Sequence, residues 1–254
     1  MLHLIDSHCH LDFANFDVDR NAILQHCEQL GLQHIIVPGV CRQGWPKLIQ
    51  VSQTHPMLKL ALGLHPMFMH RHRPEDIQAL EQALTENNPI AIGEIGLDFY
   101  LPNHHKEQQQ ALFVQQIKLA EQFGLPLILH VRKAHDEVLK ILRNANIKGG
   151  IVHAFNGSMQ QAEHYRKLGF LFGVGGALTY PRAQKLQRLF AELPLDSIVL
   201  ETDAPDMPLI GHQGERNSPE NIPLILEKLA EIRNQSENEL AAATSNNCKR
   251  LFDF

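Results

Sequence analysis

Short apolar runs alternate along the chain with segments whose apolar residues recur every three to four positions. The runs have the length of β-strands, and the segments between them have the period of amphipathic helices. The predicted strands span residues 4–7, 34–38, 59–64, 90–94, 127–130, 150–153, 170–174 and 198–201. The predicted helices span residues 20–30, 45–55, 74–86, 106–123, 135–144, 159–168, 182–193, 219–233 and 237–251.

Glycines and prolines mark several of the predicted helix boundaries. Gly31, Gly124 and Gly169 follow predicted helices, where a residue with positive φ would end them. Pro74 and Pro219 suit a first helical turn. Strands that alternate with helices indicate an α/β protein with a parallel sheet, and about eight such units close into a (β/α)8 barrel. No linker or internal repeat divides the chain, so we predict a single TIM-type barrel domain over residues 1–254.

Residue types that bind metals stand at the ends of several predicted strands. His8 and His10 are two apart in an extended segment, so their side chains project to the same face. A carboxylate such as Glu94 at the end of an apolar strand is costly to bury without a partner. Each residue alone has a simpler explanation, such as strand capping, an ion pair or a hydrogen-bonded core position. The candidate metal ligands are His8, His10, Glu94, His130, His153 and Asp203.

The distribution of these candidates favours a closed barrel over its structural competitor, a doubly wound open sheet. They end the first, fourth, fifth, sixth and eighth predicted strands. A barrel gathers the carboxyl ends of all its strands in one mouth, whereas an open sheet binds ligands at one switch point. Histidine, glutamate and aspartate also suit a pair of divalent ions. The sequence therefore predicts a metal site at the C-terminal ends of the barrel strands.

Composition narrows the class of protein. A net charge of −5 gives no global attraction for nucleic acid, so any attraction for phosphates must be local. The four cysteines have no C-x-x-C spacing, which argues against a thiolate zinc site. Four cysteines in a chain of this length also argue against a disulfide framework. No apolar run approaches the ~18 residues of a membrane span. The first strand begins too close to the N-terminus for a signal peptide to precede it. We therefore expect a cytoplasmic protein.

Three segments of the chain resemble signatures of the TatD-type metal-dependent hydrolases, which are relatives of the amidohydrolases. They are residues 6–12 (DSHCHLD), 93–98 (GEIGLD) and 201–205 (ETDAP), and residues 63–66 and 246–247 extend the similarity over the whole chain. Residues 201–209 are most similar to the YjjV-like branch of the family. Where many relatives have an aromatic residue after Ala-Pro, this chain has Asp206. This difference concerns the substrate and leaves the candidate ligands intact.

The resemblance implies a (β/α)8 barrel that holds two divalent ions and hydrolyses phosphodiester bonds in DNA. It assigns His8, His10, Glu94 and Asp203 to the first ion. It assigns Glu94, His130 and His153 to the second ion, so that Glu94 bridges the pair. Four imidazoles favour Zn²⁺ as the bound ion by intrinsic affinity, while Mg²⁺ or Mn²⁺ could serve in turnover through availability.

Further residues near the predicted mouth receive roles in catalysis or substrate binding. We expect Asp203 to accept a proton from the nucleophilic water and Glu201 to orient the ligands from behind, although a helix-facing salt bridge explains Glu201 equally well. His65 is a candidate phosphate or leaving-group contact without a metal, or simply a turn cap. The other candidates for phosphates are Arg132, Lys133 and Arg216, each of which solvated surface charge also explains. The candidates for base stacking are Phe99, Tyr100, Phe155 and Tyr180, some of which packing also explains. His70, His72, His104 and His105 are expected to be exposed loop residues.

Three functions compete at this point. We favour a metal-dependent phosphodiesterase or deoxyribonuclease that acts on single-stranded or frayed DNA ends through water activated by two metals. The alternative is an amidohydrolase-type hydrolysis of a small amide, ester or lactone. Many dinuclear relatives of that class bridge their metals with a carboxylated lysine on the fourth strand, where this chain has Glu94. A metal-binding scaffold without catalysis is the third possibility. Nothing in the sequence indicates a membrane or an obligate protein partner.

Overall fold

Eight parallel strands form a single sheet in the computed structural model, which describes residues 2–100 and 105–254. The strand order follows the chain from β1 to β8, and every neighbouring pair is parallel. The strands are β1 (Leu4–Asp6), β2 (Leu32–Pro38), β3 (Leu58–Leu62), β4 (Ala91–Asp98), β5 (Leu127–Arg132), β6 (Gly150–Val152), β7 (Phe170–Val174) and β8 (Ile198–Leu200).

The sheet closes on itself. The backbone N–H of Ser7, just after β1, donates to the carbonyl of Leu200 in β8 at 2.9 Å. The predicted barrel is therefore confirmed, and the open doubly wound alternative is wrong. That residues 1–254 fold as one domain stays a prediction.

A helix follows each strand, as the alternating pattern predicts. The first helical turn predicted for Pro74 is wrong, because Pro74 lies in the turn before α3. None of the helices in the described part of the chain is long and apolar enough to cross a membrane, and the cytoplasmic location stays a prediction. The helices are α1 (Arg20–Gln29), α2 (Trp45–Ser52), α3 (Asp76–Asn87), α4 (Lys106–Phe123), α5 (His135–Leu142), α6 (Met159–Lys167), α7 (Gln184–Glu192), α8 (Ile222–Arg233) and α9 (Glu237–Phe252).

Strand β4 is longer than predicted, and this changes where two candidate ligands lie. It continues to Asp98, so Glu94 lies in its middle, at an irregularity of the pairing with β5 between Ile92 and Ile95. Gly96 permits this irregularity, since its φ is +139° and a Cβ there would meet the His130 carbonyl oxygen at 2.0 Å. His130 likewise lies inside β5. The expectation that both residues end their strands is therefore wrong: Glu94 lies four residues before the end of β4, and His130 lies two residues before the end of β5.

Two apolar cores lie on opposite sides of the strands, as side-chain alternation along a strand requires. The larger core packs between the barrel and its helices. The smaller core fills the barrel, with α9 closing its end through Cys248 and Phe252. Each strand contributes one residue to the smaller core: Ile5, Ile36, Ala61, Ala91, Ile128, Ile151, Leu171 and Val199.

Candidate metal centre

A cavity of about 540 Å³ opens at the carboxyl ends of the strands. Five of the six candidate ligands line it, and the sixth, His8, is fully buried beside them. The barrel therefore brings together residues that are up to 195 positions apart in sequence, as the predicted metal site requires. The five lining ligands are His10, Glu94, His130, His153 and Asp203.

The two histidines that follow β1 point to the same place. The Nε2 atoms of His8 and His10 lie 3.3 Å apart. Asp6 fixes this segment, because its carboxylate accepts hydrogen bonds from the backbone N–H groups of His8 and Thr202 at 3.1 and 3.0 Å. Asp6 thereby joins the end of β1 to the segment after β8. We had assigned it no role from the sequence.

Glu94 lies at the centre of the site, with its two carboxylate oxygens facing different histidines. Oε2 is 3.2 Å from Nε2 of His8 and 3.4 Å from Nε2 of His10. Oε1 is 3.1 Å from Nε2 of His65 and 3.3 Å from Nδ1 of His130. Burial would raise the pKa of Glu94, but the surrounding imidazoles hold it well below its usual value. The side chain is thus an ionised carboxylate between two groups of donors.

Two further carboxylates hold the histidines of β5 and β6 from behind. Nδ1 of His153 lies 3.0 Å from Oε1 of Glu201, which leaves Nε2 of His153 directed into the site. Nε2 of His130 lies 2.8 Å from Oδ2 of Asp98, which leaves Nδ1 of His130 facing Glu94. A ring N–H donated to a carboxylate fixes the tautomer and frees the other nitrogen's lone pair for a metal.

The orienting position expected for Glu201 agrees with this geometry, since its carboxylate contacts a candidate ligand and the backbone N–H of Ala154 instead of a helix-facing cation. Asp98 was missed as an orienting residue. The signal for it was its place four residues after Glu94 on one strand, where the two side chains can share a face.

In contrast to the candidate ligands His130 and His153, His65 has no free lone pair directed into the site. The backbone N–H of Met67 donates to Nδ1 of His65 at 3.1 Å, so the ring proton is on Nε2 and points at Glu94. Burial lowers the pKa of His65 to about 4, so the ring is neutral. A protonated Nε2 is a hydrogen-bond donor and has no lone pair for a metal. The bond from Met67 also makes His65 the cap of the 3-10 helix that follows, which is the alternative that the sequence left open. A role of His65 in substrate contact stays a prediction.

Asp203 faces the cavity and both groups of histidines. Its Oδ1 lies 3.6 Å from His8 and 3.7 Å from His10, and its Oδ2 lies 3.7 Å from Nε2 of His153. Burial and the nearby carboxylates of Glu94 and Glu201 raise the pKa of Asp203 to about 6, although His153 and His10 oppose the rise. An acid with this pKa can exchange a proton near neutral pH.

Protonated histidines balance the negative charge of the buried carboxylates in this site. Burial lowers the pKa of His153, but Glu201 and Asp203 raise it to about 10, and Glu94 and Asp203 raise that of His10 to about 9 despite its burial. Divalent cations can replace such protons, because metal ligation releases them. Among the described residues, three groups have ligand atoms within 4.8 Å of one another: His8, Glu94 and His153; His8, His10 and Asp203; and His65, Glu94 and His130. Apart from His65, whose Nε2 carries a proton, these donors fit divalent metal ions.

The predicted phosphate contacts separate into two cases. Arg132 lines the cavity, with its guanidinium 3.6 Å from the ring centre of Tyr100. Arg216 does not line it, because Asp19 binds its guanidinium through both oxygens at 2.9 and 2.6 Å. Its expected role as a phosphate contact has no support in this position. Lys133 is exposed just beyond Arg132.

The predicted loop aromatics and histidines divide in the same way. Phe155 is 1% exposed and packs on Phe172, so it cannot stack on a base as expected. Tyr100 is exposed, while Phe99 and Tyr180 are half-buried. His72 is half-buried with Nε2 2.9 Å from the His65 carbonyl, so its expected exposure is wrong. His70 and His105 are exposed as expected, and His104 lies outside the described residues.

Comparison with known proteins decides the family. The family model described as TatD related DNase matches residues 5–253. The chain belongs to the TatD-related DNase family. The Escherichia coli protein YjjV, described as an uncharacterized metal-dependent hydrolase, is 43% identical over 253 residues, which cover 98% of this chain and 97% of YjjV.

Two further comparisons agree with this assignment. The Bacillus subtilis protein YabD, also described as an uncharacterized metal-dependent hydrolase, is 31% identical and the match covers 98% of each chain. The crystal structure of the TatD homologue YjjV from E. coli superposes with a TM-score of 0.95 at 42% identity, covering 99% of this chain and 98% of that one. The predicted resemblance to the YjjV-like branch of the TatD family is confirmed.

Proposed function

We propose that this TatD-family protein is a divalent-metal-dependent hydrolase that cleaves phosphodiester bonds in DNA at single-stranded or frayed ends. One observation carries the proposal: imidazole and carboxylate donors from five strands, or the residues just after them, converge in one cavity around Glu94, whose two carboxylate oxygens face different histidines. The family's description as DNases and the description of YjjV as a metal-dependent hydrolase support the reaction class.

Two cations would share this donor set. His8, His10, Glu94 and Asp203 would hold the first ion. Glu94, His130 and His153 would hold the second. Bound together, the two cations would lower the pKa of water and stabilise negative charge on the attacking and leaving oxygens. Zn²⁺ suits the imidazole-rich set, and Mg²⁺ or Mn²⁺ would suffice for turnover where available.

Side chains of the protein would transfer the proton, contact the substrate and orient the ligands. Asp203 faces the cavity and would accept the proton of the attacking water. The Nε2–H of His65, which points at Glu94, would donate a hydrogen bond to a phosphoryl or leaving-group oxygen. Glu201 and Asp98 hold the rings of His153 and His130, so the donors need little rearrangement during the reaction.

Cations paired with aromatic rings around the barrel mouth support a nucleic-acid substrate. These pairs lie in the segments that follow the carboxyl ends of the strands, where a net charge of −5 would otherwise repel a polyanion. Arginine and aromatic faces together bind single strands with little sequence preference. The pairs are Arg71 on Phe68, Lys106 on Phe99, Arg132 on Tyr100 and Arg182 on Tyr180.

A second candidate function is hydrolysis of a small amide, ester or lactone. Among the described residues that line the cavity, Arg132 is the one lysine or arginine, and much of the wall is apolar. A compact neutral substrate would fit such a wall. The acidic residue at the centre, Glu94, can hold two cations in either reaction.

A substrate panel with the metal-loaded protein tests the proposal. We expect cleavage of labelled single-stranded oligonucleotides and of a chromogenic phosphodiester, faster than cleavage of a blunt duplex, and loss of both activities in Asp203→Asn. His3→Gln, at an exposed histidine that precedes β1, is the matched control. Hydrolysis of p-nitrophenyl esters or lactones without any phosphodiester cleavage would replace the proposed function with the second candidate.

A further inference from the structure

Apolar residues from several segments line the cavity. One group of them comes from the end of β7, from the segments that follow β6, β7 and β8, and from α7, and it shares the cavity with His153 and Asp203. Phe155, Val174 and Phe190 are fully buried behind its surface. We call this part of the cavity the apolar chamber and define it by Phe155, Val174, Ala177, Leu186, Phe190 and Met207.

Hydrogen bonds between neighbouring loops hold the wall of the apolar chamber in place. The hydroxyl of Tyr180 donates to the carbonyl of Pro208 at 2.9 Å, and the hydroxyl of Thr179 accepts from the backbone N–H of Ile210 at 2.9 Å. The side chain of Asn217 donates to the carbonyl of Met207 at 3.2 Å. These bonds join the loops after β7 and β8, so the chamber exists before a ligand enters. A preformed apolar surface binds without the cost of ordering it.

The chamber offers an entering group few hydrogen-bond partners. Outside the metal centre, the polar side chains among the described lining residues are Arg132, Asn156 and Asp206. Oδ1 of Asn156 lies 3.3 Å from Nε2 of His135, and Asp206 is exposed. A group in the chamber would therefore be recognised by its apolar contact area and not by hydrogen bonds to its polar atoms.

We propose that the apolar chamber binds the apolar or aromatic group attached to the scissile phosphoester, and thereby sets the enzyme's preference among phosphodiesters. The chamber shares one cavity with Glu94, His153 and Asp203, so a group in it can belong to the same molecule as the phosphate at the metal centre. This group is a nucleobase if the substrate is DNA and an aryl or alkyl substituent if the substrate is a small diester. The inference rests on the proposed phosphodiester hydrolysis.

Binding of two phosphonates tests the chamber without any reaction. Phenylphosphonate and methylphosphonate present the same anionic head to the metal-loaded protein and differ in the apolar group. We expect calorimetry to show phenylphosphonate binding at least about tenfold more tightly, as burial of an aromatic ring implies. Equal affinities would overturn the inference.

Two substitutions change the chamber in opposite ways and should have the same effect. Leu186→Asn makes its half-buried wall polar, and Ala177→Leu fills it. Each should reduce the preference for phenylphosphonate to within about threefold while methylphosphonate binding stays unchanged. Leu224→Asn, at a 45% exposed leucine on α8, is the matched control and should keep the full preference. Retention of the preference in both chamber variants, with folding verified by circular dichroism, would overturn the inference.

Hydrolysis separates failure of the chamber from failure of the proposed function. We expect kcat/KM for phenyl p-nitrophenyl phosphate to exceed that for methyl p-nitrophenyl phosphate by about tenfold. Equal hydrolysis of both would refute the chamber and leave the phosphodiesterase intact. Preferential phenylphosphonate binding without hydrolysis of any diester would show an apolar binding site beside the metal centre, but it would refute the phosphodiesterase and with it the chamber's role in the preference among diesters.

Oligonucleotides identify the source of the group. If it is a nucleobase, cleavage should differ little among the four end bases and fall about tenfold at an abasic end. If only the small diesters are cleaved, the group is an aryl or alkyl substituent. Both results support the chamber. The inference would be overturned if abasic and normal ends were cleaved at the same rate and phenyl compounds were not preferred over methyl compounds.

Discussion

At the residue scale, the chemistry of the site depends on how each carboxylate divides its oxygens. Glu94 turns one oxygen to His8 and His10 and the other to His65 and His130. Asp203 also divides its oxygens, between His8 and His10 on one side and His153 on the other, but 15% of its side chain is exposed against 3% for Glu94. The two acids therefore should differ in what they contribute, although both belong to the proposed ligand set.

We expect Glu94→Gln to weaken both metals together, because it removes the negative charge that offsets repulsion between the two cations. Phosphodiester hydrolysis should fall more than the ~10–100-fold that is typical when an outer-shell partner is lost. Asp203→Asn should keep most of the metal and lose hydrolysis, because the proton acceptor is gone. Elemental analysis and rate measurements on both variants check this, and near-normal metal content and activity in Glu94→Gln would contradict the bridging role.

At the element scale, close packing of β7 against the end of β8 holds the orienting carboxylate in position. A Cβ on Gly173 of β7 would lie 1.9 Å from Oε2 of Glu201. Glu201 is 1% exposed, and its other oxygen holds His153. The absence of a side chain at one strand position therefore determines the orientation of a proposed ligand on another strand.

We expect Gly173→Ala to displace the Glu201 carboxylate and to weaken binding of the second metal about 10–100-fold, as loss of an outer-shell partner does. Glu201→Gln should weaken the same ion, since it keeps the shape and loses the charge that fixes the His153 tautomer. Titration with metal, read by calorimetry, measures this effect. Gly44→Ala is the control for adding a methyl group at glycine, because its φ is −84° and a Cβ there would meet only Sγ of Cys41, at 3.9 Å. Unchanged binding in Gly173→Ala would exclude the packing argument.

The sequence predicts this architecture well because apolar period and strand–helix alternation are local properties. The range of α4 is predicted to the residue, since Gly124 ends it with a positive φ. The extension of β4 is missed because Gly96 and Asp98 read as the end of a strand, although the close approach of β5 there requires a glycine. Asp98 and Asp19 likewise have partners, His130 and Arg216, that only the closed barrel brings near.

At the scale of the whole molecule, the end of the barrel opposite the metal centre has its own pH dependence. His34 on β2 packs on the ring of Phe254 with centroids 4.5 Å apart. Burial and the charges of Lys59 and Lys249 lower the pKa of His34 to about 4. Between that value and the ~6.5 of an unfolded histidine, the unfolded chain binds more protons, so stability rises with pH through this range and is lost as pH falls.

We expect the urea midpoint of the wild-type protein to fall more between pH 7 and pH 5 than that of His34→Gln, which cannot bind this proton. Both should be measured in chelator, so that the metal centre contributes equally. His212→Gln, at an exposed loop histidine, should follow the wild type. Equal losses in His34→Gln and the wild type would show that His34 does not carry this dependence.

Metal binding should stabilise the whole barrel, because its proposed ligands come from β1, β4, β5, β6 and β8 or the residues just after them. Ions that bind the folded state alone stabilise it by about 2.7 kcal/mol at a hundredfold excess over Kd. For a chain of this size, each 1 kcal/mol raises Tm by about 2–4 °C. We therefore expect metal-loaded protein to unfold at least about 5 °C above chelated protein, and the difference to shrink in Glu94→Gln. Calorimetric scans at fixed free metal concentration measure it, and a Tm independent of metal in the wild type would mean that these donors do not hold ions in the folded barrel.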